Sequence, residues 1–151
     1  MPSMRRLAPL LIALSLSGCA TERTATWGLT EEAPEGPKLV LGVPDTDDVS
    51  LLMTCAAGSG RVDVVVVGRL SDPAVVELRS GKVVGRYGGV GDADEETIGA
   101  RDIAFAMSAA DPVLARFGET GELTVVFADR RVLLPNGFAV AHDFLKRCRI
   151  P

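Results

Sequence analysis

The chain has 151 residues, 47% of them hydrophobic, with 16 basic and 20 acidic side chains and a net charge of −4. That length suits one domain large enough to bury its own core. The acidic balance argues against a nucleic-acid partner, which rewards clustered Lys and Arg.

The first element is an apolar run, Leu7 to Leu16, preceded by Arg5 and Arg6 and by no acidic residue. About ten apolar residues fall short of the ~20 that a helix needs to cross a bilayer. A basic start, a short apolar middle and a small-residue end form the pattern of a cleavable export signal over residues 1–18. The run ends Leu16-Ser17-Gly18-Cys19, which resembles the lipobox of bacterial lipoproteins. That resemblance implies a diacylglycerol thioether on Cys19 and cleavage between Gly18 and Cys19. It also implies a membrane anchor made of acyl chains in place of a spanning helix. Each buried CH₂ adds ~0.8 kcal/mol to such an anchor. Ala20, where aspartate would redirect sorting, favours the outer membrane by resemblance to enterobacterial lipoproteins. The mature chain would carry 14 basic and 20 acidic residues. It would not lie flat on anionic lipid, so the acyl chains must do the anchoring.

Residues 20–38, ATERTATWGLTEEAPEGPK, are polar, hold two prolines and two glycines, and show no apolar period. With Cys19 they read as a lipidated tether over 19–38, ahead of a single globular domain over 39–151. Trp27 and Leu29 stand out in it. They pack onto the domain, touch the membrane interface, or form a partner-binding motif.

From Leu39 the pattern is of strands separated by turns. Residues 39–43 and 49–56 are apolar runs divided by Pro44 and an acidic turn, and Gly58-Ser59-Gly60 leads into a strand over 61–70. That strand is apolar on both faces at 64–67 and so reads as central. Residues 74–80 and 82–88 flank Gly81 as a further hairpin of the same meander. Residues 88–99 read as an acidic loop and 101–109 as an alternating strand. Asp111-Pro112 has the N-cap and first-turn signature of a short helix. A hairpin over 122–135 follows, then a helix from about 137 to 148. The fold class expected is α+β: a mainly antiparallel twisted sheet of six to eight strands or a partial barrel, two short helices and one disulfide.

With Cys19 assigned to lipid, Cys55 and Cys148 remain, and an even remainder in an exported chain suggests a disulfide. Cys55 shares a strand face with Leu51 and Met53. Cys148 falls on one helical stripe with Phe138, Ala141 and Leu145. Both thiols therefore face the core. Two buried free thiols are the alternative. One histidine and no Cys-x-x-Cys give no metal site.

The remaining chemistry is thin. His142 is the sole histidine, and its neighbour Asp143 points about 100° away on a helix. Ser59 lacks the Gly-x-Ser-x-Gly spacing of a nucleophile elbow. Neither Asp45/Asp47/Asp48 nor Asp92/Asp94/Glu95/Glu96 fits a calcium loop. Gly88-Gly89-Val90-Gly91 lacks the Lys-Ser/Thr of a phosphate loop. No catalytic set and no cofactor are expected. Arg130-Arg131 with Lys146-Arg147 and Arg149 make a modest basic patch, a solvated edge or a contact for an anionic partner. The functional expectation is a non-enzymatic, lipid-anchored envelope protein that binds an envelope partner or supports an assembly. An alternative comes from Thr54–Val66, TCAAGSGRVDVVV, with its strand cysteine and a C-terminal cysteine. These resemble membrane-bound inhibitors of C-type lysozyme, although that family's Ser-Gly-x-x-Tyr loop is missing and Gly85-Arg86-Tyr87 does not supply it. A small periplasmic hydrolase is a third class.

Overall fold

A computed structural model describes residues 24–32, 34–68, 75–93, 101–127 and 130–150. The signal-like segment and Cys19 lie outside these residues. Among the described residues the fold is α+β, with mostly antiparallel strands in two sheets, two helices and one disulfide, and the sheets do not close into a barrel.

Strands β1 (Thr26–Glu32), β2 (Gly36–Gly42), β3 (Val49–Thr54) and β4 (Arg61–Gly68) run as an antiparallel meander. Their inward faces follow a period of two: Leu39 and Leu41, Leu51 and Met53, then Val62, Val64 and Val66 are all buried. The chain then leaves this sheet. β5 (Val75–Ser80) and β6 (Val83–Gly88) begin a second one, and β7 (Val90–Ala93) and β8 (Arg101–Ser108) return to the first. β8 pairs with β4 over its full length, from Arg61↔Ser108 to Gly68↔Arg101. The first sheet thus has the order β1-β2-β3-β4-β8-β7. Helix α1 (Pro112–Thr120), strands β9 (Thr124–Phe127) and β10 (Arg130–Leu133), and helix α2 (Phe138–Cys148) complete the chain. The second sheet is ordered β10-β9-β5-β6.

α1 packs on β5 and β6, α2 packs on β1 and β2, and the helices pack on each other. The core lies between the sheets and is closed by this helix pair. Phe117 and Phe144 are its largest fully buried side chains. Tyr87 of β6 stacks on Phe105 of β8 at 5.0 Å, which ties one sheet to the other.

Both helices have local reasons to start and stop. The Asp111 carboxylate accepts from the Val113 amide at 2.8 Å, and Pro112 opens the first turn. Gly121 ends α1 in the left-handed region, φ 71°, where its N–H donates to the Phe117 carbonyl. α2 starts at Gly137 without a side-chain cap of its own. The Asn136 side chain substitutes, accepting from the Phe138 amide and donating to the Thr120 carbonyl. Lys146 and Arg147 occupy the last turn of α2, where the helix dipole favours cations.

Three expectations need correction. The strands divide into two sheets, β5 and β6 carrying α1 while β1 and β2 of the first meander carry α2. Residues 26–38 are not a tether throughout: 26–32 form β1, and 36–38 begin β2. Trp27 and Leu29 of β1 pack against the core. Gly36, φ 88°, makes the hairpin possible, since a Cβ there would lie 2.5 Å from the Cys55 carbonyl oxygen. Finally, the expected loop over 88–99 begins with β7, an edge strand on β8.

Candidate functional site

The best-fixed feature is the junction of the β3–β4 hairpin with the end of α2. Cys55 and Cys148 are joined by a disulfide across 93 residues, with Cα atoms 5.8 Å apart. Both were expected there, on the core-facing side of their elements. The hairpin adds backbone bonds: the Gly58 and Gly60 amides donate to the carbonyls of Arg147 and Cys148, each at 2.8 Å. Ser59 sits in this turn. Its hydroxyl donates to the Arg61 carbonyl and accepts from the Arg61 amide. These bonds commit the turn over 58–60 to holding the end of α2.

His142 lies on the exposed side of α2, beside a groove of about 530 Å³ between the two helices. Lys146, Arg149 and Glu119 also line it. The closeness of the helices depends on Gly118, where a Cβ would come within 2.9 Å of Leu145 Cδ1. Asp143 turns away from His142 and pairs with Arg147 at 2.8 Å; Arg147 also pairs with Glu31 of β1. The basic patch expected from the sequence is therefore divided. Arg147 is neutralised against β1, Lys146 and Arg149 face the helix groove, and Arg131 stands on β10.

The outer face of the second sheet carries a charge cluster that the sequence did not reveal. Glu77 of β5 is only 7% exposed, yet it pairs with Arg79 along its strand and with Arg86 of β6 at 2.9 Å. Hydrogen bonds from Arg86 first, then Arg79, hold its carboxyl below the usual range. The register Glu77↔Arg86 supplies the juxtaposition. On the opposite face of β6, the Tyr87 hydroxyl donates to Asp111 Oδ1 at 2.9 Å. Burial, and then Asp111, push its ionisation well above the ordinary tyrosine value. Gly85 leaves the space this needs, since a Cβ there would collide with the Tyr87 ring.

The outer face of the first sheet is different again. The registers align Gly28, Val40, Leu52, Val65, Ala104 and Val90 in one row across all six strands. No helix packs there among the described residues, and Val90 is 72% exposed. The one sequence signal for this row was the β4 run that is apolar on both faces.

Among the described residues, no three or more His, Cys, Asp or Glu side chains are grouped to hold a metal ion. Asp45 adopts φ 60° in the turn between β2 and β3, and Thr46 closes that turn through the Val43 carbonyl. Gly88 ends β6 and Val90-Gly91 open the edge strand β7, with Gly89 between them pressed against the Ala104 carbonyl. No described helix is long and apolar enough to cross a membrane. Against known proteins, the chain matches no family, no curated protein and no solved structure.

Proposed function

We propose that the protein is a bacterial envelope lipoprotein, anchored by lipid on Cys19, whose domain acts by binding a protein partner and not by catalysis. The observation that carries this reading is how the three cysteines divide. Cys55 and Cys148 are joined, a bond that persists in oxidising compartments. The remaining cysteine closes Leu16-Ser17-Gly18-Cys19 behind a short apolar run. Ala20 favours the outer membrane as the destination. Labelling cells with a radioactive fatty acid tests the anchor. The wild type is expected to carry label and Cys19→Ser to carry none. Equal label on both, or none on either, removes the anchor.

The aliphatic row on the first sheet supports the partner-binding half. The row itself carries no charge, although Lys38 and Asp63 flank it in the next row, and it suits a protein with an apolar face of its own. Val65→Glu places a carboxylate in the middle of the row. Cross-linking in cells is expected to give a defined envelope complex with the wild type and to lose it with this variant, while the melting temperature is kept. A wild type that stays a free monomer after cross-linking removes this half.

A further inference from the structure

We infer that the turn between β10 and α2 rests against the phospholipid surface that holds the acyl chains; this builds on the anchored reading of Cys19. Two exposed apolar side chains bracket the turn, Leu133 at 74% and Phe138 at 51% exposure. Between them, Pro135, Asn136 and Gly137 border a shallow groove of about 510 Å³ that also takes in Thr26 and Val140. The turn is rigidly placed. The Trp27 indole N–H donates to the Pro135 carbonyl at 2.7 Å, and a Cβ on Gly137 would meet the indole at 2.9 Å.

The length of chain outside the structure selects the occupant. β1 runs away from this turn, so the chain enters the fold beside it, at Thr26. Only seven Cα-to-Cα steps separate Thr26 from Cys19. At ~3.5 Å per residue they reach at most about 25 Å. A domain of this size has a radius of gyration of ~14 Å, so that reach is less than its own width. The end of the molecule nearest the acyl chains is therefore this one, and it displays a leucine and a phenylalanine. The Phe- and Leu-bearing faces of interfacial helices bury ~5–10 Å into the headgroup boundary, a layer that an exposed leucine and phenylalanine at this end can enter. The first turn of α2 has no acidic residue, and Arg131 stands exposed on β10. Asp45 and Asp48 border a second groove on the far side of Thr26. The contact is therefore apolar in character and does not require anionic lipid.

Trp27, the only tryptophan, lies directly behind the turn and reports on it. The experiment places the full lipidated protein in phosphatidylcholine vesicles with brominated acyl chains. It compares Trp27 emission with that in unbrominated vesicles, after flotation. The wild type is expected to float and to lose emission in the brominated vesicles. Leu133→Asp and Phe138→Asp are each expected to float, keep the melting temperature and recover emission. A wild type that floats with unquenched Trp27 overturns the inference and leaves the anchor standing. That is also the outcome if a protein, not lipid, covers the turn. Equal quenching in the wild type and both variants overturns it as well. A wild type that fails to float overturns the anchored reading, and the inference with it.

Discussion

At the scale of single residues, Tyr87 shows how a polar group is used to fix the core. Its ring is stacked on Phe105 and its hydroxyl is spent on Asp111, the same carboxylate that caps α1. Ionisation of Tyr87 is displaced upward in the folded state. The unfolded chain therefore loses this proton first, near pH 10, and binds fewer protons than the folded chain above that pH. Stability from this group is complete below about pH 10 and falls as the pH rises beyond it. Denaturant melts between pH 8 and 11 are expected to show that decline in the wild type. Tyr87→Phe should show a shallower one, and should cost about 1 kcal/mol at neutral pH for the lost hydrogen bond. Because Tyr87 is the only tyrosine, ultraviolet titration of the phenolate gives an independent reading of the same proton.

At the scale of elements, the link between α1 and α2 depends on Gly121. It sits at φ 71°, and a Cβ would lie 2.3 Å from the Phe138 nitrogen and 2.5 Å from Asn136 Oδ1. An alanine meets both an unfavourable backbone conformation and a clash with main chain that cannot yield cheaply. Gly121→Ala is expected to destabilise by more than about 1 kcal/mol, measured by urea unfolding. Gly28→Ala provides the control, since a Cβ there meets nothing within 4 Å. An equal loss in both variants would show that the helix end is not the cause. Strand β1 is the companion case. It sits at the edge of its sheet, yet Trp27 lies against Phe117 at 5.3 Å and Glu31 is paired with Arg147. An edge strand held by side chains from two other elements belongs to the fold and not to the tether.

At the scale of the whole molecule, the disulfide and the helix pair hold the two sheets in one body. The 93-residue span of the Cys55–Cys148 bond corresponds to about 4–5 kcal/mol in the chain-entropy model. Cys55→Ala/Cys148→Ala is therefore expected to lose about a third or more of the ~5–15 kcal/mol that holds such a domain folded. The end of α2 and the β3–β4 hairpin should lose hydrogen-exchange protection first, because Gly58 and Gly60 bond to the same helix end. A double variant that unfolds at the wild-type urea midpoint would contradict this account. At this scale the molecule also has two distinct ends. The turn between β10 and α2 lies at the start of that helix, and the disulfide lies at its far end, about 16 Å away at 1.5 Å per residue.

Short-range pattern in the sequence was enough for the interior of most elements, β1 and β7 excepted. The period of two in β2, β3, β4 and β8, the cap at Asp111-Pro112 and the inward direction of Cys55 and Cys148 are local properties of backbone geometry. The candidate surfaces were less legible. Glu77 between Arg79 and Arg86, and the aliphatic row from Gly28 to Val90, exist only through register between strands. Likewise, β1 looked like linker because its two anchoring residues have nothing to hold them within the segment. The slot for Trp27 is made by Pro135 and Gly137, more than a hundred residues later in the chain. Tertiary structure alone decided which strands share a sheet, because antiparallel pairing depends on which apolar faces must be covered, and that is settled only when distant segments meet.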